Sequence, residues 1–312
     1  MKESSIQFKD ALAKANECVR AFAKCVDDIF QSKDIHEIYH YTSAAGLLGI
    51  LKSKKLWLTR WDCLNDFTEY RYIHEIIDRC LNNFRSDTEF CAFVSDINEH
   101  ERSCKQKAHF IESRYALYVA SFSSNKDALN LWTYYTKSSH NDGYCLGLDY
   151  KSIFEESGYD VTIADIIYDQ EEQDRHITKI LTQFRNFFIA LGKNNDTKSD
   201  RKRWMMTYFR EVFWDIGLYF KHPAFSIEEE VRAVIRLHNN SNKHEKLGVK
   251  VRQSNGLFIP YVEMPVKKTD IKCIGISPTL KDTPARGGVS SLTKECGLSC
   301  DIFESDIPLR NI

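Results

Sequence analysis

The chain has 312 residues, 43% of them hydrophobic, 28% charged and 12% aromatic. That mix excludes a disordered or fibrous polypeptide, and a chain of this length buries a core without metal or disulfide staples. The net charge of −1 neither demands nor excludes a nucleic-acid partner, so such a partner needs a local basic patch.

The opening MKESSIQFKDALAKANECVR lacks the continuous apolar stretch of a secretory signal, and no segment approaches membrane-spanning length. Cysteines stand at 18, 25, 63, 80, 91, 104, 145, 273, 296 and 300 without a C-x-x-C pair, which argues against a zinc ribbon or a thioredoxin-type site. A cytoplasmic location with reduced thiols and no membrane partner is the expectation.

In chain order, residues 5–31 read as an amphipathic helix, with Val19, Phe22, Val26 and Ile29 on one face. IYHY is a short aromatic strand. Thr42 or Ser43 can cap a helix through Leu47, Leu48, Ile50 and Leu51 that ends near Lys52, Lys54 and Lys55. LWLT is a strand, and LND a turn that opens a helix through FTEYRYIHEIIDRCLNNF. Residues 84–114 are polar, a helix or an insertion. YALYVASFSS, GYCLGLDY and VTIADIIYD read as strands, with a short helix in DALNLWTYYT. Residues 170–222 turn helical twice, broken by GKNNDTKSD.

SIEEEVRAVIRL alternates: Val231, Ala233, Ile235 and Leu237 point one way, Glu228, Glu230, Arg232 and Arg236 the other. Short strands follow near 247–252, 257–262 and 271–276, then a helix-poor segment with PARGG and a last strand in CDIFESDIP. The spread of strands predicts an α+β fold. Its parts are an N-terminal helix over 1–34 packed on the core and a single domain over 35–312 with a helical insertion around 170–222.

Four groups could carry chemistry: His40 with Thr42; Thr59 leading to Asn65, Asp66 and Glu69; Ser121 and Ser123; Glu228 and Glu230. Each puts polar side chains on or beside a short strand flanked by aromatics. Alternate strand residues stand about 7 Å apart on one face, so the glutamates and Arg232 form a charged row. That row is either a solvated face or a carboxylate placed to stabilise developing positive charge or to hold a sugar hydroxyl. Pairing with Arg232 would keep Glu230 ionised. His40 is either a packed core ring or a ligand-holding group. No Walker A sequence and no G-x-G-x-x-G after a strand is present, and PARGG lacks the lysine and hydroxyl of a phosphate cradle. KSDRKRWMMTYFR at 198–210 mixes basic residues with Trp204, Tyr208 and Phe209, as single-stranded nucleic-acid surfaces do; a helix with one solvated basic face reads the same way.

Taken together, HYTSAAGLLGILKSKKLWLT, LNDFTE, SFSSNKDALNLWTYY, GYCLGLDY, EEEVRAVI, IKCIGISPTL and DIFESDIPLR resemble the signatures of a large bacterial family of uncharacterised function. That family in turn resembles the ADP-ribosyltransferase superfamily, whose enzymes bind NAD in a cleft of a split mixed β-sheet. The resemblance implies that His40, in a His-x-Thr arrangement with Tyr41 and Thr42, holds the adenosine-side ribose, and that the backbone beside it grips the nicotinamide amide. Thr59, Asn65, Ser121 and Ser123 would complete the NAD site, with Tyr70 a possible stacking ring on nicotinamide. Glu230 or Glu228 would be the catalytic carboxylate, with Arg232, Asp66 and Glu69 beside the acceptor or behind the site. No metal is implied. The expected activity is that of a mono-ADP-ribosyltransferase, a toxin or phage-defence effector restrained by an antitoxin or another regulatory protein. Its acceptor would be macromolecular, RNA or DNA before protein. An NAD glycohydrolase and a non-catalytic module that binds a nucleotide or a partner are the alternatives.

Overall fold

The computed structural model describes residues 24–27, 29–30, 37–64, 68–103, 115–135, 143–192, 198–238, 247–254 and 256–308. Side chains are described at all of these except 68–70, 115, 191–192, 198–204, 207, 211 and 238. In chain order the elements are β1 (Ile38–Thr42), α1 (Ala44–Ser53), β2 (Lys55–Arg60), α2 (Thr68–Leu81), α3 (Thr88–Ser103), β3 (Tyr115–Ser123), α4 (Leu129–Tyr134), β4 (Tyr144–Leu148), α5 (Tyr150–Ile153), β5 (Val161–Asp165), α6 (Gln170–Gly192), α7 (Lys198–Gly217), β6 (Glu230–His238), β7 (Lys250–Ser254), β8 (Leu257–Pro265), β9 (Ile271–Ile276), α8 (Ala285–Cys296) and β10 (Asp301–Glu304). The class is α+β, as the spread of strands predicts. No helix among the described residues is long and apolar enough to cross a membrane.

The chain divides into two compact units that interleave in sequence. Met1–Gln31, Asp66–Ser113 and Ile167–Phe225 make one; Ser32–Asn65, Arg114–Ile166 and Ser226–Ile312 make the other. The 35–312 stretch, expected as one domain with an insertion at 170–222, therefore contributes to both.

The first unit is helical. Its core is built from apolar faces of α2, α3, α6 and α7, among them Ile73, Ile77, Phe90, Val94, Ile180, Phe184, Phe209 and Phe213. Ile29 is buried in this core and Val26 packs against it; Val19 and Phe22 of the expected leading helix lie outside the described residues. The 198–210 segment is helical, but Met205 and Phe209 are buried, and Phe209 stacks on Phe213 with ring centroids 4.2 Å apart. Burying each such side chain stabilises by about 1.5–3 kcal/mol, which sets the helix's orientation. Phe209, expected on a single-strand surface, is thus a core residue. The side chains of Trp204, Lys198, Arg201, Lys202 and Arg203 lie outside the described ones, and Arg210 pairs with Glu101 of α3 at 2.7 Å.

The second unit carries the sheet, ordered β10-β9-β4-β1-β3-β2-β8-β7, with β6 pairing β3 and β5 pairing β6. The pairs are antiparallel except β9 with β10. One face holds the core: Ile38, Leu58, Phe122, Leu146, Val231, Ala233 and Ile235, covered by Leu47 and Leu51 of α1 and Val289 of α8. On the other face α4 packs Leu131 and Trp132 against Tyr41 and Cys145.

Two local expectations are corrected. The segment at PARGG is not helix-poor: α8 starts at Ala285 and runs to Cys296, ended by Gly297 at φ 62°. Gly287 and Gly288 lower helix propensity there, and the buried side of Val289 and Thr293 overrides it. The strand expected through Glu228 starts only at Glu230. Glu228 ends a 3-10 turn, Pro223–Glu228, and Glu229 lies at φ 44° between them.

Candidate functional site at a fork in the sheet

The sheet opens at β3. On one edge β3 pairs with β6 along its whole length, from Tyr115 opposite His238 to Ser123 opposite Glu230. On the other edge β1 meets β3 only at Ser123, opposite Tyr39, while β2 meets it at Val119 and Tyr118. Ala120, Ser121 and Phe122 therefore pair with neither β1 nor β2. α1 bridges these two strands in sequence. Ser43 caps it, accepting from the Gly46 N–H at 3.2 Å, and Lys54 in a left-handed conformation ends it. Gly46 is required: a Cβ there would come 2.1 Å from Thr42 Oγ1. A cavity of about 580 Å³ fills the fork, lined by β1, α1, β2, the β3 segment 119–123, Glu228, Glu230 and Arg252.

His40 and Glu230 both line this cavity. His40 is half-buried, edge-on to Phe122 with ring centroids 5.8 Å apart, and its Nδ1 lies 3.3 Å from the Ser121 carbonyl. A carbonyl only accepts, so Nδ1 carries the proton. Burial lowers the pKa of the ring, against the opposing effect of that hydrogen bond. The imidazole is thus neutral near pH 7, and Nε2 keeps its lone pair for an incoming hydroxyl.

The glutamates sit on a turn held by β3 and the loop after it. Ser123 Oγ donates to the Glu228 carbonyl at 2.8 Å, and the Ser124 N–H to the Glu229 carbonyl at 2.9 Å. Asn125 Nδ2 donates to Glu229 Oε1 at 2.9 Å, and Asn130 Nδ2 to the Ile227 carbonyl at 3.2 Å. A non-glycine residue at positive φ costs about 1–3 kcal/mol and persists only where its surroundings over-determine it. These bonds do that for Glu229, and the turn brings Glu228, half-buried, and Glu230, buried, to one cavity.

Glu230 is 5% exposed and Arg232 4%. The expected solvated face is therefore absent at these two positions. Arg232 Nε donates to Glu230 Oε1 at 2.5 Å and Nη2 to Oε2 at 3.0 Å. Such a fork offsets part of the desolvation of both charges and fixes the orientation of the carboxylate.

The other expected residues divide. Thr42 and Thr59 line the cavity, and so does Ser121, with an exposed side chain. Tyr41 also lines it, but its hydroxyl donates to the Asn125 carbonyl at 2.9 Å and accepts from the Ala128 N–H at 3.0 Å, tying β1 to the loop before α4. Ser123 holds the glutamate turn. Asn65 and Asp66 lie outside the described residues. Glu69 and Tyr70 are in α2, and their side chains lie outside the described ones.

Sequence reasoning missed Asn125 and the wall made by Trp57 and Arg252. Both wall residues line the cavity, and the guanidinium carbon of Arg252 lies 5.8 Å from the Trp57 ring. The alternation in KLWLTR, with Leu56 and Leu58 buried, was the signal that Trp57 faces away from the core. Among the described residues no cluster of three or more His, Cys, Asp and Glu side chains could hold a metal ion.

A family model described as "Protein of unknown function (DUF2971)" matches residues 131–233. The match takes in GYCLGLDY, both cavity glutamates and Arg232, and ends before Arg252; His40 lies outside it. No curated protein gives a match, and no solved structure does.

Proposed function

We propose that the cavity at the fork binds NAD and that the protein is a mono-ADP-ribosyltransferase, a toxin or phage-defence effector acting on a macromolecular acceptor, nucleic acid before protein. The observation that carries this reading is that His40 and Glu230, far apart in sequence, line one cavity. The neutral imidazole accepts a ribose hydroxyl at Nε2. The Glu230 carboxylate, oriented by Arg232, stabilises the positive charge that develops at the ribose as the bond to nicotinamide breaks. The bonding pair leaves with nicotinamide, which departs neutral. The acceptor's nucleophile bonds to the same ribose carbon and gives its proton to Glu228, the second carboxylate of the cavity. Holding donor and acceptor together supplies much of the acceleration. The free thiols of Cys80, Cys145 and Cys273 fit a reducing, cytoplasmic setting, and an effector of this kind requires an antitoxin or other regulator to restrain it.

A second reading, a non-catalytic nucleotide-binding module, draws on the engagement of both Glu230 oxygens by Arg232. Incubation with labelled NAD and cell extract separates the two. Label transferred to macromolecules is the expected result. Free ADP-ribose alone means a glycohydrolase, and NAD binding without turnover means a binding module.

A further inference from the structure

We infer that the sheet face formed by β2, β8 and β7, whose Lys55, Trp57 and Arg252 line the cavity, is the docking face for a single-stranded nucleic acid, with Trp57 as the stacking platform for a base and Arg252 as the phosphate-side anchor. This rests on the transferase reading for its purpose, but its observations are separate.

Strand register puts the parts together. Thr59 stands opposite Tyr261, Trp57 opposite Glu263, and Lys250 opposite Tyr261, so these side chains and Arg252 share one face of three adjacent strands. Leu56 and Leu58 take the core side, which sends Trp57 outward. Trp57 is 49% exposed, although it is a large apolar residue at a cavity wall. The Tyr261 ring supports it from behind, centroids 4.6 Å apart. A half-exposed indole supported by a second ring, with a guanidinium near it, is what base stacking needs, and stacking accepts any base.

The charge on this face is complementary to a phosphate chain. Lys55 and Lys250 share one carboxylate, Glu263, at 2.5 and 2.8 Å. Arg252 is the third cation. Its Nη2 donates to Thr59 Oγ1 at 3.2 Å, while its Nε is buried and has no hydrogen-bond partner among the described residues. A buried donor without an acceptor costs about 1–3 kcal/mol, and a phosphate oxygen would remove that cost. Three cations against one anion leave the face positive on a chain whose net charge is −1. Because Trp57 and Arg252 line the cavity that holds both glutamates, a strand docked here brings a base to the carboxylates.

The test is fluorescence anisotropy with the full chain and labelled mixed-sequence 12-mers, RNA and DNA in separate arms. Binding of one or both strands is expected, weakening about tenfold between 50 and 200 mM salt, as displacement of a few counterions requires. Trp57→Ala should weaken it at least about fivefold, Trp57→Phe should restore most of the loss, and Arg252→Gln should reduce both affinity and salt dependence. In the wild-type chain, ultraviolet cross-links should map to 55–59 or 250–263. No binding of either strand at low salt overturns the inference. So do cross-links elsewhere, or binding that Trp57→Ala leaves unchanged and heparin displaces as well as a strand does. NAD cleavage by the wild-type protein, measured in parallel, separates the two claims. Cleavage without strand binding removes this surface and leaves the transferase reading; strand binding without cleavage removes that reading and leaves the surface.

Discussion

The two units bury polar groups in different arrangements. In the helical unit several ion pairs and hydrogen bonds run between elements. Tyr72 of α2 donates to Gln173 of α6, and Arg79 of α2 pairs with Asp174 of α6. Glu101 of α3 takes both Nε and Nη2 of Arg210 of α7, and Arg185 of α6 pairs with Asp87 just ahead of α3. Each bond fastens one element to another. In the sheet unit the most deeply buried charge pair, Glu230 with Arg232, lies within a single strand and at the edge of a cavity. A buried charge pair at the rim of a cavity is a candidate for chemistry.

Glu230→Gln tests that contrast and should have the largest effect. The side chain keeps its shape and its hydrogen-bonding ability but loses its charge. NAD cleavage should fall by about 10²–10³-fold, the scale of losing one preorganised electrostatic contact. Cleavage rates near wild type in both Glu230→Gln and Glu228→Gln would remove the carboxylate assignment. Gln173→Ala is the opposite probe. It deletes the bonds of Nε2 to the Ile167 and Lys221 carbonyls, at 2.8 and 2.9 Å, and the acceptor for Tyr72. Stability in urea should drop by about 2–4 kcal/mol, because buried groups lose their partners. NAD affinity of the folded fraction should not move.

The same contrast explains what could be read from sequence. Strands such as IYHY and GYCLGLDY, and the helices beneath them, announce themselves through local periodicity and caps. The fork does not, because it depends on where β1 and β2 each touch β3, which no local pattern encodes. Glu228 and Glu230 were expected on one strand face because period-two alternation runs through SIEEEVRAVIRL; the left-handed turn at Glu229 breaks that period. Arg232 reads as a solvated charge until both faces of β6 are seen to be covered. Ser123 is recognisable as a polar strand residue, but its bond to the Glu228 carbonyl spans a sequence separation that only the pairing of β3 with β6 closes. Trp57 and Arg252 meet for the same kind of reason, through β8 between them.

Histidines in the two units titrate in one direction with different consequences. Burial lowers the pKa of His40 in the sheet unit and of His74 in the helical unit below the ordinary 6.5. Below that value the unfolded chain takes up protons that the folded chain does not, so stability is full above it and declines as pH falls through the window down to the folded values. Urea midpoints measured against pH should show this decline, and His74→Asn should flatten part of it. His40→Asn should instead weaken NAD binding by about five- to tenfold at neutral pH, the loss of one acceptor. Wild-type affinity should hold through neutral pH and fall only in acid, once Nε2 is protonated. Calorimetric titration of both proteins against pH checks the difference, and equal affinities would remove His40 from the site.

The smallest effect belongs to Ser123. Its hydroxyl reaches no ligand in this assignment: it donates to the Glu228 carbonyl and accepts from the Asn125 N–H at 3.1 Å. Ser123→Ala removes both bonds and leaves those of Ser124, Asn125 and Asn130 to the same turn. The glutamates should lose precision rather than position, so kcat should fall by about two- to fivefold with the KM for NAD unchanged, a cost near one net hydrogen bond. Ser121→Ala, two residues away with its exposed side chain at the cavity, should act on KM instead. If the two substitutions give the same kinetic pattern, the turn is not held from β3 in the way the bond lengths indicate, and Ser123 belongs with the residues that touch NAD.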